Sequence, residues 1–138
     1  MARLTRSLLL GLAMATAAAA APPPAPAYDL QYRQNGISFS APELQRLFNA
    51  ALPATYDRVF PEQRWTTYLL LDVQAGKGLT AITLGLSPRL DQRRALLPVA
   101  TFSVIEPMPT SREGWERLLS GVINRYGSEM VTNRSRIQ

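Results

Sequence analysis

The sequence predicts an α+β fold in a single small domain. It reads as a candidate N-terminal β-hairpin, then a helix, a three-stranded antiparallel meander and a second helix, with both helices on one face of the sheet. Three observations predict this. Between positions 65 and 105 lie three runs rich in aromatic, β-branched and aliphatic residues, parted by turn chemistry. On either side of them a capping motif opens an apolar stripe of helical period. The 138 residues, once a leader is set aside, amount to one domain.

The leader comes first. Arg3 and Arg6 precede an apolar run over 8–21 that only Gly11 and Thr16 interrupt, and small residues follow. This is the three-part secretory pattern. Its apolar run, about 14 residues, is shorter than the ~20 a membrane-spanning helix needs, so a cleaved signal is expected rather than an anchor. The small-x-small rule places cleavage after Ala20 or Ala27, within a Pro/Ala-rich stretch that ends at residue 27. The mature domain is then 28–138, periplasmic or secreted. With no Cys in the chain, a lipid anchor has no attachment point.

The elements of the domain follow in order. Tyr28, Leu30 and Tyr32 alternate with polar neighbours, Asn35-Gly36 supplies a turn, and Ile37 and Phe39 alternate beyond it, which is a hairpin signal. Ser40-Ala41-Pro42-Glu43 fits a capping box, and Leu44, Leu47, Phe48, Ala51 and Leu52 share one helical face until Pro53. Positions 53–63 lose the pattern and read as loop with at most one helical turn. Residues 65–74 form a strand, Gly76-Lys77-Gly78 a turn, and 79–87 the returning strand. A third strand covers 96–105, with Phe102 and Val104 inward and Pro98 at an edge or bulge. Thr110-Ser111-Arg112-Glu113 fits a second capping box. Trp115, Leu118, Leu119, Val122, Ile123 and Tyr126 then recur at helical spacing, with Gly127 as the stop and a short polar tail from about 128.

Composition excludes much chemistry. With neither Cys nor His, the chain has no disulfide, no thiolate nucleophile, no imidazole base and no metal site built on sulfur or imidazole. The net charge of +5 falls to +3 without the leader's two arginines, and the charges are scattered, so nucleic acid is not an expected partner. The order helix, three strands, helix is also that of double-stranded RNA-binding domains. Those carry clustered lysines at the start of the last helix, where this chain has Thr110-Ser111-Arg112-Glu113-Gly114. The run Gly76-Lys77-Gly78 lacks the earlier glycine and the hydroxyl of a phosphate loop and is explained as a turn. Asp72, Glu106, Glu113 and Glu116 are the carboxylates available to a hydrolase. Capping explains Glu113, the polar helix face explains Glu116, and Asp72 is the least comfortable, since it interrupts an apolar strand.

The expected function is a non-catalytic periplasmic binding or accessory protein, without cofactor or metal, docking on another envelope protein or an apolar ligand. The alternative is a hydrolase that uses carboxylates or hydroxyls alone. The candidate binding residues are Tyr68, Leu70 and Asp72, flanked by Arg64 and Arg89. Trp65 and Tyr68 have opposite parity, so only one ring can face the helices. If Asp72 faces solvent, Tyr68 and Leu70 do so too, making an aromatic, aliphatic and anionic stripe on the open face of the sheet. In the competing arrangement, the N-terminal hairpin of Tyr28, Tyr32 and Phe39 covers that face as a second small core.

Overall fold

The computed structural model describes residues 29–90, 93–94 and 98–138. The leader, both cleavage sites, Tyr28 and the expected start of the third strand at 96 lie outside the described residues. The elements are β1 (Asp29–Asn35), α1 (Ala41–Ala51), α2 (Tyr56–Val59), β2 (Trp65–Gln74), β3 (Leu79–Leu90), β4 (Arg93–Arg94), β5 (Ala100–Pro107), α3 (Arg112–Thr132) and α4 (Arg134–Ile137). Together they make a mixed, mostly antiparallel sheet with the helices packed against it, as the α+β reading expects.

The meander forms with the expected alternation. β2 pairs antiparallel with β3 from Trp65 opposite Pro88 to Gln74 opposite Leu79. β5 pairs antiparallel with β3 on its other side, and the two-residue β4 meets the far end of β3 on the same side. A 3₁₀ turn at Ala75–Lys77, closed by Gly78 at φ 64°, joins β2 to β3.

The N-terminal hairpin does not form. β1 instead pairs parallel with β2, Asp29 opposite Thr66 through Asn35 opposite Asp72, and becomes the fourth strand position at the sheet edge. The turn at Asn35-Gly36 is present, with Gly36 at φ 79°, but it sends the chain into the helix layer. Phe39 is buried there, and the Gln34 side chain holds the turn, accepting from Phe39 N at 2.7 Å and donating to Phe39 O at 2.9 Å. A β-strand, crossover helix and parallel strand thus stand where the local signal indicates a hairpin.

The capping box of α1 forms in full. Ser40 N donates to Glu43 Oε2 at 2.7 Å, and Glu43 N donates to Ser40 Oγ at 3.3 Å. At α3 the expected box does not form: the cap is Ser111, one residue later than Thr110, and its Oγ accepts from Gly114 N at 3.0 Å, while Glu113 turns to Arg117. The two helix starts are tied together. Arg112 reaches Glu43 and lies over the Phe39 ring with its guanidinium 4.0 Å from the centroid.

α3 does not stop at Gly127. It runs on to Thr132 and buries Met130, so the stretch expected as a polar tail is helix. Gly127 is there for close approach: a Cβ at that position would lie 2.5 Å from Pro53 Cδ and 2.8 Å from Leu52 Cδ2. The α3 stripe packs into one core with Leu44, Leu47 and Phe48 of α1 and with Leu69, Leu71, Ile82, Leu84 and Leu86 of the sheet. The 53–63 stretch contributes more than loop. Tyr56 and Phe60, one turn apart on α2 and its cap, are both buried in that core.

Candidate functional site

The strand period sorts β2 into two faces. Thr67, Leu69 and Leu71 are buried toward the helices, whereas Leu70 is 44% exposed and Tyr68 and Asp72 are half-buried on the opposite face. Tyr68, Leu70 and Asp72 therefore form one stripe, spanning about 13 Å of strand. β1 does not fold over it as a second core; it lies beside it in the same sheet.

Registers on either side place the stripe's neighbours. Gln31, Arg33 and Asn35 of β1 stand opposite Tyr68, Leu70 and Asp72. Gly85, Thr83 and Ala81 of β3 stand opposite the same three, followed by Thr101, Ser103 and Ile105 of β5. Directly paired residues share a face, so the open face is polar along β1 and mixes apolar and polar side chains across the other three strands. Ile105 is 72% exposed on it. Thr83 and Ser103 share a hydroxyl hydrogen bond of 2.9 Å across β3 and β5.

Two contacts organise the stripe. The Tyr68 ring lies flat across Gly85, where a Cβ would come within 2.6 Å of Cε2 and 2.7 Å of Cζ. Only glycine opposite Tyr68 lets the ring lie down on the sheet. Asp72 is held by amides: Asn35 Nδ2 donates to Oδ1 at 2.8 Å and Gln74 Nε2 to Oδ2 at 3.3 Å. Shallow depressions flank the Arg33 and Leu70 pair, one bounded by Gln31, Thr66 and Tyr68, the other by Asn35 and Asp72. In the first, Gln31 Nε2 is shielded from water without an acceptor among the described residues, which costs about 1 to 3 kcal/mol.

Arg64 and Arg89 stand at one end, joined by the backbone bond from Arg89 N to Arg64 O at 2.8 Å. Arg89 Nη1 donates to Glu62 O at 2.7 Å, and its Nε lies 3.7 Å from Asp29 Oδ2. Asp29 also accepts from Thr66 Oγ1 at 2.7 Å. Arg89 is thus engaged within the fold, whereas Arg33, absent from the sequence expectation, sits beside Leu70 in the middle of the stripe. No ion pair is formed by Arg33 among the described residues. Only the parallel pairing of β1 brings it there, and no local pattern in 29–35 signals that pairing.

The carboxylates considered for hydrolysis are engaged separately. Glu106 pairs with Arg125 at 3.9 Å, Glu113 with Arg117 at 3.5 Å and Glu116 with Arg46 at 3.1 Å, while Asp72 lies between its two amides. Among the described residues no group of three potential metal ligands comes together, and no helix is long and apolar enough to cross a membrane. Comparison with protein-family models, with curated proteins and with solved structures finds no match to this chain.

Proposed function

We propose that this chain is a non-catalytic accessory protein of the bacterial envelope, exported by its leader, which docks on another envelope protein through the open face of its sheet. The observation that supports this reading is the stripe of Tyr68, Leu70 and Asp72 on the face away from the helices, with Arg33 beside it. Aromatic, aliphatic and guanidinium groups on a rigid strand are the side chains enriched at protein interfaces, and the sheet holds them in place at little entropic cost. The flattened Tyr68 ring offers a broad apolar surface, while Arg33 and Asp72 supply charges of opposite sign that fix the orientation of a partner. A partner carbonyl that reached Gln31 would satisfy its unpaired amide.

Two measurements test the reading. Osmotic shock should release a mature form that begins at Ala21 or Tyr28; intact Met1 in the membrane pellet contradicts export. Immobilised parent protein should recover a defined partner from the envelope fraction, and the double variant Tyr68→Ser with Leu70→Ser should not. Equal recovery by both proteins rules out this face.

A further inference from the structure

We propose that β5 is the edge through which two copies of this chain join, antiparallel about a two-fold axis at Ser103, into one continuous sheet. Among the described residues β5 pairs with β3 on one side only. Its free backbone groups can be assigned. Just beyond the strand, Met108 N donates to Gly78 O at 2.9 Å, and hydrogen-bonded pairs alternate along an antiparallel ladder. Even-numbered residues of β5 therefore direct N–H and C=O toward β3, and Thr101, Ser103 and Ile105 direct theirs outward. Pro107, which has no N–H, falls in the outward set, where its missing donor breaks no bond to β3.

Short of Glu106 and Pro107 at its end, this edge lacks the usual protection against pairing. β1, the opposite edge, carries Asp29 and Arg33, whereas residues 99–105 contain no charge, no Pro and no Gly. Its two ends hold the most exposed large apolar side chains described, Val99 at 53% and Ile105 at 72%.

A second copy fits that edge. With Ser103 on the axis, Thr101 of one copy stands opposite Ile105 of the other and Phe102 opposite Val104, an aromatic and β-branched pairing that favours a ladder. All three outward residues then form hydrogen-bonded pairs. Val99 lies before the strand and donates its own N–H inward to Leu86 O at 2.8 Å, so the shared ladder runs from Thr101 to Ile105, and each residue in it meets its counterpart across the two-fold. Such self-complementarity is what an isologous interface requires.

Sedimentation equilibrium of the purified protein should show a dimer. Ser103→Lys, which sets like charges face to face on the axis, should raise its dissociation constant about tenfold or more. Because the chain contains no Cys, the register can be read independently. Ser103→Cys should be joined into a covalent dimer by a short bifunctional maleimide, and Ile105→Cys should not. A parent that stays monomeric throughout the micromolar range overturns the proposal. So does a dimer indifferent to Ser103→Lys, or cross-linking as efficient at 105 as at 103.

Discussion

The phenolic oxygens of Tyr56 and Tyr126 lie 2.8 Å apart inside the core, in hydrogen-bonding contact. Tyr56 Oη also meets Thr67 Oγ1 at 2.8 Å, and the Tyr126 hydroxyl donates to Gly85 O at 3.4 Å. The chain of hydroxyls ties α2, α3, β2 and β3 together and ends on the backbone beneath the Tyr68 ring. Buried hydroxyls are tolerated only when paired, and these pair with one another.

Tyr126→Phe removes both bonds of its hydroxyl, to Tyr56 Oη and to Gly85 O, and leaves Tyr56 its Thr67 partner. The expected loss is about 1 to 2 kcal/mol, read from the urea midpoint at unchanged m-value.

Burial, followed by the neighbouring Tyr56, pushes the Tyr126 phenol well above its usual range. The fold thus holds this proton more tightly than the unfolded chain does. The corresponding stability is fully present below the ordinary phenol pKa of about 10 and is lost as pH rises beyond it. Alkaline melts of the parent should fall more steeply above pH 10 than those of Tyr126→Phe.

Glu43 moves the other way. The Ser40 backbone N–H and then the Arg112 guanidinium lower its carboxyl from 4.5 to about 2. Its contribution is present above the unfolded value and is lost as pH falls from about 4.5 toward 2. Gln at this position can still cap α1, so Glu43→Gln should match the parent most closely near pH 2 and fall behind it above pH 5. A difference independent of pH would contradict the assignment.

Core packing of α3 gives two further expectations. Trp115 is buried, so Trp115→Ala should cost about 3 to 5 kcal/mol. Gly127→Ala drives a methyl into Pro53 and Leu52 and should cost about 1 to 3 kcal/mol despite alanine's higher helix propensity. Chemical denaturation of each variant measures both.

The meander, both helices and the stripe of Tyr68, Leu70 and Asp72 were legible because each rests on local periodicity, capping and strand parity. What escaped depended on contacts distant in sequence. Asn35-Gly36 carries a hairpin signal, yet burial of Phe39 and a parallel place beside β2 outweigh it. Gly127 resembles a helix stop until Pro53 is seen against it. Tyr56 and Phe60 sit in a stretch too short to display a period. Arg33 and Gln31 enter the candidate site only through the register of β1 with β2, to which the alternation of 29–35 gives no clue.

Gly85→Ala tests the Tyr68 platform without touching the stripe. The new methyl must lift the ring off the sheet, while alanine's lower conformational entropy offsets part of the cost. Stability should change by no more than about 1 kcal/mol, and partner recovery should fall sharply. Undiminished recovery would show that the flat ring is not what a partner reads.

The most direct test of the binding face is the melting midpoint of the Tyr68→Ser, Leu70→Ser double variant, taken together with partner recovery. A surface stripe predicts a stability change of about 1 kcal/mol or less with recovery abolished. A loss of several kcal/mol, of the size that emptying a core produces, would mean that these side chains hold the fold together and would contradict the account.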